Sequence, residues 1–267
     1  MKKRHFALLI PVFAISCNSG TGDGSEKSDD QKDTLIETEA GPVPVTFNAS
    51  DGLEISANLY EASVEAARPI VLCHQARYNK FEYSGIAERL NELGFHCLAI
   101  DQRSGGPIAN MPNETNDRAK EKGLGVDYLD AAPDITAAVD YMNKKYNQPV
   151  ILWGSSYSST LVLYEAVKNA DVSSVVAFSP GDYFADTLGS LVPLLADFEK
   201  PMFLTSGSWE WEGKFVAELI AGKKLGSNQI QFVPKGDGHH GSMALWPGQE
   251  GGEEYWEAIE MWLGQLM

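Results

Sequence analysis

The chain has few cysteines and histidines, and it is short of basic residues. Its 267 residues include 3 cysteines and 5 histidines, and 21 lysines and arginines stand against 37 aspartates and glutamates, for a formal net charge of −16. Nucleic acids and anionic lipid surfaces are polyanions, so a charge of this sign argues against either of them as a partner. Cys73 and Cys97 lie inside apolar runs, where we expect small buried hydrophobes rather than a disulfide.

The longest apolar stretch near the start, Phe6 to Ile15, is too short to span a bilayer as a mature helix. It follows the basic residues 2–4, an arrangement typical of a secretory signal peptide. Small residues then precede Cys17, as in a bacterial lipoprotein, where the cysteine becomes the lipid-bearing first residue. We therefore predict a lipoprotein signal peptide over residues 1–17 and a lipid anchor in the bacterial cell envelope, on its periplasmic or surface face. The alternative is a plain secretory peptide cut nearby.

Residues 18–41 are mostly glycine, serine and acidic residues. Such a composition buries too little apolar surface to offset the entropy of ordering, so we predict a disordered tether. From residue 42 to residue 267 no linker interrupts the sequence, which predicts a single domain there.

Strand and helix patterns alternate in this domain. Residues 43–60 read as a hairpin that turns at Ser50-Asp51-Gly52. Apolar runs at 69–74 and 149–154 are typical of strands buried on both faces, and residues 95–101 also read as a strand. Three further strands are expected at 172–179, 201–207 and 229–235. This alternation predicts an α/β fold, a mostly parallel central sheet with helices on both faces.

Two segments lie between the predicted strands and helices. Residues 104–130 lack strong periodicity, and the apolar patch at 183–200 is too short for a large cap domain. Long loops over the strand ends are often lids or pocket walls, although 104–130 is equally well read as a mobile surface excursion. We expect an open or modestly covered cleft with a small cap or none.

Ser156 lies between a buried strand and an apolar helix, within Gly154-Ser155-Ser156-Tyr157-Ser158. This pattern is close to Gly-x-Ser-x-Gly, in which a strained strand-to-helix turn presents a nucleophilic serine. The free N–H groups of the following helix suit a developing oxyanion. Taken alone, the motif is as compatible with a helix-capping turn as with a catalytic one. Ser155 and Ser158 are expected to cap the helix and to pack, without a catalytic role.

A nucleophilic serine needs a base and an orienting acid, in the chain order serine, acid, histidine for this architecture. His240 follows the last predicted strand and is the candidate base. Glu210 follows the preceding strand and is the candidate acid, with Asp182, one strand earlier, as its rival. A metal pair of His240 with His239 or Asp237 is the alternative, but further ligands at a recognisable spacing are lacking. We therefore predict neither a metal nor another cofactor.

Seven stretches, taken in order, resemble an α/β-hydrolase over residues 42–267, closest to its dienelactone-hydrolase-like or acyl-esterase-like branch. They are SDGL, VLCHQARYN, GFHCLAIDQRSGG, WGSSYS, AFSPGDYF, FLTSGSWE and GDGHHGS. The resemblance implies Ser156 as nucleophile, His240 as base and Glu210 as acid. It also implies an oxyanion hole formed by the backbone N–H groups of Tyr157 and Ala76.

Two departures from that family stand out. Ser158 replaces the last glycine of the turn, which bears on helix packing, and a glutamate replaces the commoner aspartate as the acid. The expected function is that of a serine hydrolase cleaving a small carboxylic ester through an acyl-enzyme. The alternatives are a small peptidase or amidase on the same fold and a binding lipoprotein without catalysis. The oligomeric state and the acyl and alcohol groups do not follow from the sequence.

Overall fold

The computed structural model describes residues 41–64, 66–208, 211–221, 223–226 and 228–267. The predicted signal peptide, Cys17 and almost all of the tether lie outside these residues, so the predicted domain boundaries stay predictions. In the described part of the chain, strands form one eight-stranded sheet in the order β1-β2-β4-β3-β5-β6-β7-β8. The strands are β1 (Val43–Asn48), β2 (Glu54–Tyr60), β3 (Arg68–Cys73), β4 (Phe95–Ile100), β5 (Val150–Ser155), β6 (Val172–Phe178), β7 (Met202–Thr205) and β8 (Gln229–Phe232).

The sheet is antiparallel at one edge and parallel elsewhere. β1 pairs with β2 as the predicted hairpin, with Phe47 opposite Ile55, and β2 pairs antiparallel with β4. All pairs from β4 and β3 to β8 are parallel. The mostly parallel sheet expected from the continuous apolar runs is therefore confirmed.

Helices cover both faces of the sheet and close two apolar cores. They are α1 (Ser84–Glu92), α2 (Glu114–Glu121), α3 (Ala132–Tyr146), α4 (Tyr157–Lys168), α5 (Ala185–Leu188), α6 (Leu191–Leu194), α7 (Trp211–Ala221) and α8 (Gly252–Gly264). Successive residues of β5 show the division, since Leu152 packs in the core with α3 and α4, while Ile151 and Trp153 pack in the core with α1 and α8. Cys73 and Cys97 are fully buried free thiols, as expected.

The segment 104–130 contains a helix that its sequence did not reveal. The Asn113 side chain caps α2 by accepting the Asn116 N–H. The buried face of α2 consists of Thr115, Asn116 and Ala119, so polar contacts replace the apolar stripe that a periodicity argument needs. Between β6 and β7 the chain forms only the one-turn helices α5 and α6, consistent with a small cap or none. No helix in the described ranges has the length and apolar character required to cross a membrane.

Candidate active site

Ser156 occupies the turn between β5 and α4, with φ 56° and ψ −126°. A side-chain-bearing residue in this region is strained by about 1–3 kcal/mol, and such strain persists only where the surroundings impose it. Here the end of β5 packs closely against the first turn of α4, and this packing holds the turn in its strained conformation. A Cβ on Gly154 would lie 2.6 Å from the Ser158 carbonyl oxygen and from the Ser159 Cα. Only glycine fits two residues before the serine, which explains the first half of the motif.

Ser158 stands where the related motif has glycine, and its side chain has specific partners. Its hydroxyl is fully buried, donates to the His74 carbonyl and accepts from the Gln102 amide. These bonds tie the first turn of α4 to the residues that follow β3 and β4. The extra side chain is therefore accommodated by hydrogen bonding rather than by loosened packing.

His240 lies in the loop after β8, where its ring meets the serine. Its Nε2 is 2.8 Å from Ser156 Oγ, although the two residues are 84 positions apart. In the neutral tautomer that accepts the serine hydrogen, Nε2 carries the lone pair and Nδ1 the proton. The pair has the geometry of a nucleophile and its general base.

Backbone hydrogen bonds hold the histidine loop to the strand ends. The Gly241 N–H donates to Ser179 Oγ at 2.9 Å, and the Ser242 N–H donates to Ser155 Oγ at 2.9 Å. A Cβ on Gly241 would meet Ser155 Oγ at 2.6 Å, so the residue after His240 must be glycine for this approach. Ser179 itself has a positive φ of 55°. The positioning roles of Ser179 and Ser242 were not foreseen, because each depends on a partner remote in sequence.

The two candidate acids differ in what the structure says of them. Glu210, the residue predicted to orient His240, lies outside the described residues. The Asp182 carboxylate accepts a hydrogen bond from the Leu191 N–H at 2.9 Å, at the start of α6. Asp182 thus has a structural role in the segment between β6 and β7.

The two predicted oxyanion donors are Tyr157, which directly follows Ser156, and Ala76. Tyr157 is the first residue of α4, so its N–H has no acceptor within the helix. Ala76 lines the same cleft as Ser156. Among the described residues, neither N–H has a hydrogen-bond acceptor, which leaves both available to a ligand oxygen.

The loop that carries Ala76 is fixed from behind by buried polar groups. His74 Nε2 accepts the Gln102 N–H at 3.0 Å, so Nδ1 carries the proton and donates to the Gln75 carbonyl at 2.8 Å. Burial lowers the pKa of His74 to about 4, so the ring is neutral. The Gln75 N–H donates to Glu82 Oε2 at 2.7 Å. These contacts set the direction of the backbone just before Ala76.

Glu82 is an unusual group to find under this loop. Its side chain is buried, and Oε1 is the one buried side-chain polar atom without a hydrogen bond among the described residues. Burial raises the pKa of Glu82 to about 7, against the opposing effects of the Gln75 N–H, the Ser155 hydroxyl and His240. The carboxyl therefore changes charge near neutrality.

An open cleft of about 540 Å³ surrounds the serine and histidine. Its described lining comprises Gln75, Ala76, Arg77, Tyr78, Tyr128, Ser156, His239, His240 and Met243. Tyr128 comes from the segment 104–130 and packs against Tyr157 with ring centroids 4.5 Å apart, so this segment supplies part of the wall. A larger cavity of about 630 Å³ between α1 and α8 includes neither Ser156 nor His240.

The rings of His239 and His240 contact different groups. The His239 Nδ1 lies 2.9 Å from the His240 carbonyl oxygen, and His240 directs Nε2 at Ser156. Within the described ranges, no three His, Cys, Asp or Glu side chains are grouped so as to hold a metal ion.

Comparison with known proteins identifies relatives by fold but not by sequence. No family model and no curated protein matches this sequence. An esterase of Pyrococcus furiosus is 17% identical over 84% of this chain and 92% of its own, with a TM-score of 0.63. A dienelactone hydrolase from Anabaena variabilis is 16% identical over 84% and 98%, with a TM-score of 0.61. An acylaminoacyl peptidase of Pyrococcus horikoshii is 12% identical over 84% of this chain but only 41% of its own, with a TM-score of 0.59.

Identities this low show a shared fold and leave activity and substrate open. The chain has the α/β-hydrolase fold, as predicted from the sequence. Ser156 and His240 follow the carboxyl ends of β5 and β8, the edge where such sheets carry their sites.

Proposed function

We propose that this protein is a serine hydrolase that cleaves carboxylic esters through an acyl-enzyme. The observation that carries the proposal is the 2.8 Å contact of His240 Nε2 with Ser156 Oγ, made by a serine in a strained strand-to-helix turn. Backbone strain is costly to maintain, and together with a hydroxyl–imidazole hydrogen bond it fits a nucleophile presented to a substrate.

The reaction follows from the positions of these groups. His240 Nε2 takes the hydroxyl proton as Ser156 Oγ attacks the ester carbonyl, and the resulting oxyanion accepts hydrogen bonds from the N–H groups of Ala76 and Tyr157. The tetrahedral species collapses, the proton on Nε2 passes to the departing alcohol, and the acyl group stays on Ser156. Water, deprotonated by His240, then attacks the acyl-enzyme and releases the carboxylic acid and the free serine.

We propose Glu210 as the acid that orients His240. It follows β7 in the chain order that this architecture uses, and the Asp182 carboxylate is bound to the Leu191 N–H. A carboxylate beside Nδ1 fixes the tautomer and stabilises the imidazolium that forms during the reaction.

The ester reading is favoured over a peptidase that recognises a free amine. An ammonium group needs a carboxylate partner, and the described residues lining the cleft include none. The amidase and the binding-protein alternatives predict, respectively, turnover of amides and a serine that does not react.

A fluorophosphonate probe tests the catalytic proposal directly, because it reacts with activated serines. The wild-type protein should be labelled, Ser156→Ala should not, and Ser63→Ala, an exposed serine outside the site, serves as the matched control. A panel of acyl esters and aminoacyl amides then separates esterase from amidase. An unlabelled wild-type protein that binds esters without turnover would establish the binding-protein alternative.

We also propose that the protein is anchored to the bacterial envelope by a lipid on Cys17, which lies outside the described residues. The support is the short apolar stretch and the small residues before the cysteine. The test compares wild type with Cys17→Ala for incorporation of labelled palmitate and for membrane association. Equal processing and equal membrane association of the two would reject the anchor.

A further inference from the structure

The cleft around Ser156 differs in charge from the protein that contains it. The chain carries 37 acidic against 21 basic residues. Among the described residues lining the cleft, in contrast, there is no carboxylate, while the guanidinium of Arg77 is present. A net charge of this size repels anions from the protein as a whole, so an arginine in a cleft lined by no described carboxylate needs its own explanation.

Arg77 is the fixed positive charge of the cleft, and its guanidinium has no partner among the described residues. The other four described arginines all donate hydrogen bonds through their guanidinium groups: Arg68 to Leu266 O, Arg89 to Glu260, Arg103 to Asp134 and Arg118 to Ser56. Of the five arginines that the structure describes, the one that shares a cleft with Ser156 is thus the one left unpaired.

The backbone of Arg77 is held at a cost. Its φ is 67°, a conformation that favours glycine over any residue with a side chain. The turn is closed by the Tyr78 N–H donating to the Gln75 carbonyl at 3.2 Å, and the Gly106 N–H donates to the Tyr78 carbonyl at 3.0 Å. An arginine kept where glycine would be less strained indicates that its side chain serves a purpose.

We propose that Arg77 binds an anionic group of the substrate, so that the protein prefers esters that carry a carboxylate a few bonds from the scissile carbonyl. The inference rests on the proposed hydrolase function. Arg77 directly follows Ala76, whose N–H is assigned to the oxyanion. An arginine side chain that starts one residue away reaches a carboxylate on the same short substrate.

The chemistry of the guanidinium suits this role. It is permanently charged and presents paired N–H donors that match a carboxylate bidentately. An exposed ion pair contributes little in water, but a substrate that covers the cleft displaces water from the pair and strengthens it. The rings of Tyr78 and Tyr128 in the same lining offer apolar surface to the chain that joins ester and carboxylate.

The test compares two esters of similar length and equal leaving group, p-nitrophenyl hydrogen glutarate and p-nitrophenyl hexanoate, at constant ionic strength. The readout is the ratio of their kcat/KM values. We expect the glutarate ester to be preferred by wild type and the ratio to fall by about tenfold or more in Arg77→Gln, the effect of one charge-assisted contact. Arg77→Lys should restore part of the ratio, since it keeps the charge and loses the bidentate geometry. Lys144→Gln, which removes an exposed cation of α3 outside the cleft, should leave the ratio as in wild type.

A second readout does not depend on turnover. Glutarate should bind the Ser156→Ala protein in calorimetry, and adding Arg77→Gln should weaken that binding about tenfold. Equal kcat/KM values for the two esters in wild type, or a ratio unchanged by Arg77→Gln, would overturn the inference and leave the hydrolase proposal intact. If neither ester is cleaved, the hydrolase proposal fails and calorimetry decides the inference: binding that depends on Arg77 supports it, and binding that does not rejects it.

Discussion

His240 Nε2 and Ser156 Oγ lie 2.8 Å apart, although 84 positions separate the residues in the chain. β5 ends at Ser155, and β8 ends at Phe232, a few residues before the histidine loop. The hydrogen bonds from the Gly241 N–H to Ser179 Oγ and from the Ser242 N–H to Ser155 Oγ then hold that loop at the sheet edge. The contact is therefore a product of sheet topology and loop anchoring, and it defines which proton transfers are open to the protein.

His240→Gln should remove general-base catalysis while leaving substrate binding largely intact. We expect kcat to fall by about 10⁴-fold or more, as when one member of a serine–histidine pair is lost, and fluorophosphonate labelling to be lost with it. His239→Gln is the matched neighbour and should lose far less. Comparable losses in both variants, reversed by added metal, would instead point to a two-histidine metal site.

The acid that serves His240 can be identified by two isosteric substitutions. Glu210→Gln should lower kcat by about 10⁴-fold, because the imidazole loses both its tautomer and its counter-charge. Asp182→Asn should change kcat little, since the Asp182 carboxylate is bonded to the Leu191 N–H and an amide oxygen can accept the same bond. Steady-state kinetics on one ester suffices, and a crippled Asp182→Asn with an active Glu210→Gln would move the acid one strand earlier.

The sheet and the serine turn were accessible from sequence because their signals are local. Buried parallel strands read as continuous apolar runs, and Gly154 is required by backbone only a few residues away. The helix α2 was missed because Thr115 and Asn116 contribute to its buried face. A polar buried face leaves no hydrophobic period to detect.

The residues that support Ser156 and His240 could not be predicted from local sequence patterns. Ser179 meets Gly241 across 62 positions, and Ser155 meets Ser242 across 87. Glu82 looks like any surface glutamate in the sequence, and only the fold reveals that it is buried behind Gln75. Such roles are set by tertiary approach, which one sequence does not encode in any local pattern.

Ser158→Ala should lower the stability of the protein without removing the reactive serine, because Ser158 has a structural role. The variant loses the bonds to the His74 carbonyl and the Gln102 amide, both buried. We expect the free energy of unfolding to drop by about 1–3 kcal/mol, the cost of leaving such groups unpaired. Fluorophosphonate labelling of the folded protein should persist. Chemical denaturation measures the first effect, and complete loss of labelling in folded Ser158→Ala would show that the nucleophile has been misassigned.

Glu82→Gln should change how stability depends on pH. The pKa of Glu82 is raised to about 7 by burial, from an ordinary value of 4.5. A raised carboxyl pKa contributes stability at low pH, and this contribution is lost as the pH rises through the folded value. Between about pH 4.5 and pH 8, wild type should therefore lose about 3 kcal/mol relative to Glu82→Gln, which has no proton to release.

Denaturant unfolding of both proteins across that pH range measures the difference, and effects of other carboxyl groups such as Asp134 cancel because both proteins share them. Glu92→Gln, which removes an exposed carboxylate, controls for the change in net charge. A constant difference between wild type and Glu82→Gln at all pH values would mean that Glu82 does not titrate in this window.

Arg77→Gly should leave the protein at least as stable as wild type while weakening its preference for anionic esters. The φ of 67° at this position strains any residue with a side chain, by about 1 kcal/mol at the low end of such costs. Glycine relieves that strain but gives the unfolded chain more freedom, which offsets part of the gain. We therefore expect a free energy of unfolding equal to wild type or higher by up to about 1 kcal/mol, together with a lower kcat/KM ratio for glutarate over hexanoate esters. Arg77→Ala separates the two effects, because it removes the guanidinium and keeps the strain. If Arg77→Gly is less stable than Arg77→Ala, the backbone at this position is not strained, and the argument that function maintains an arginine there loses its basis.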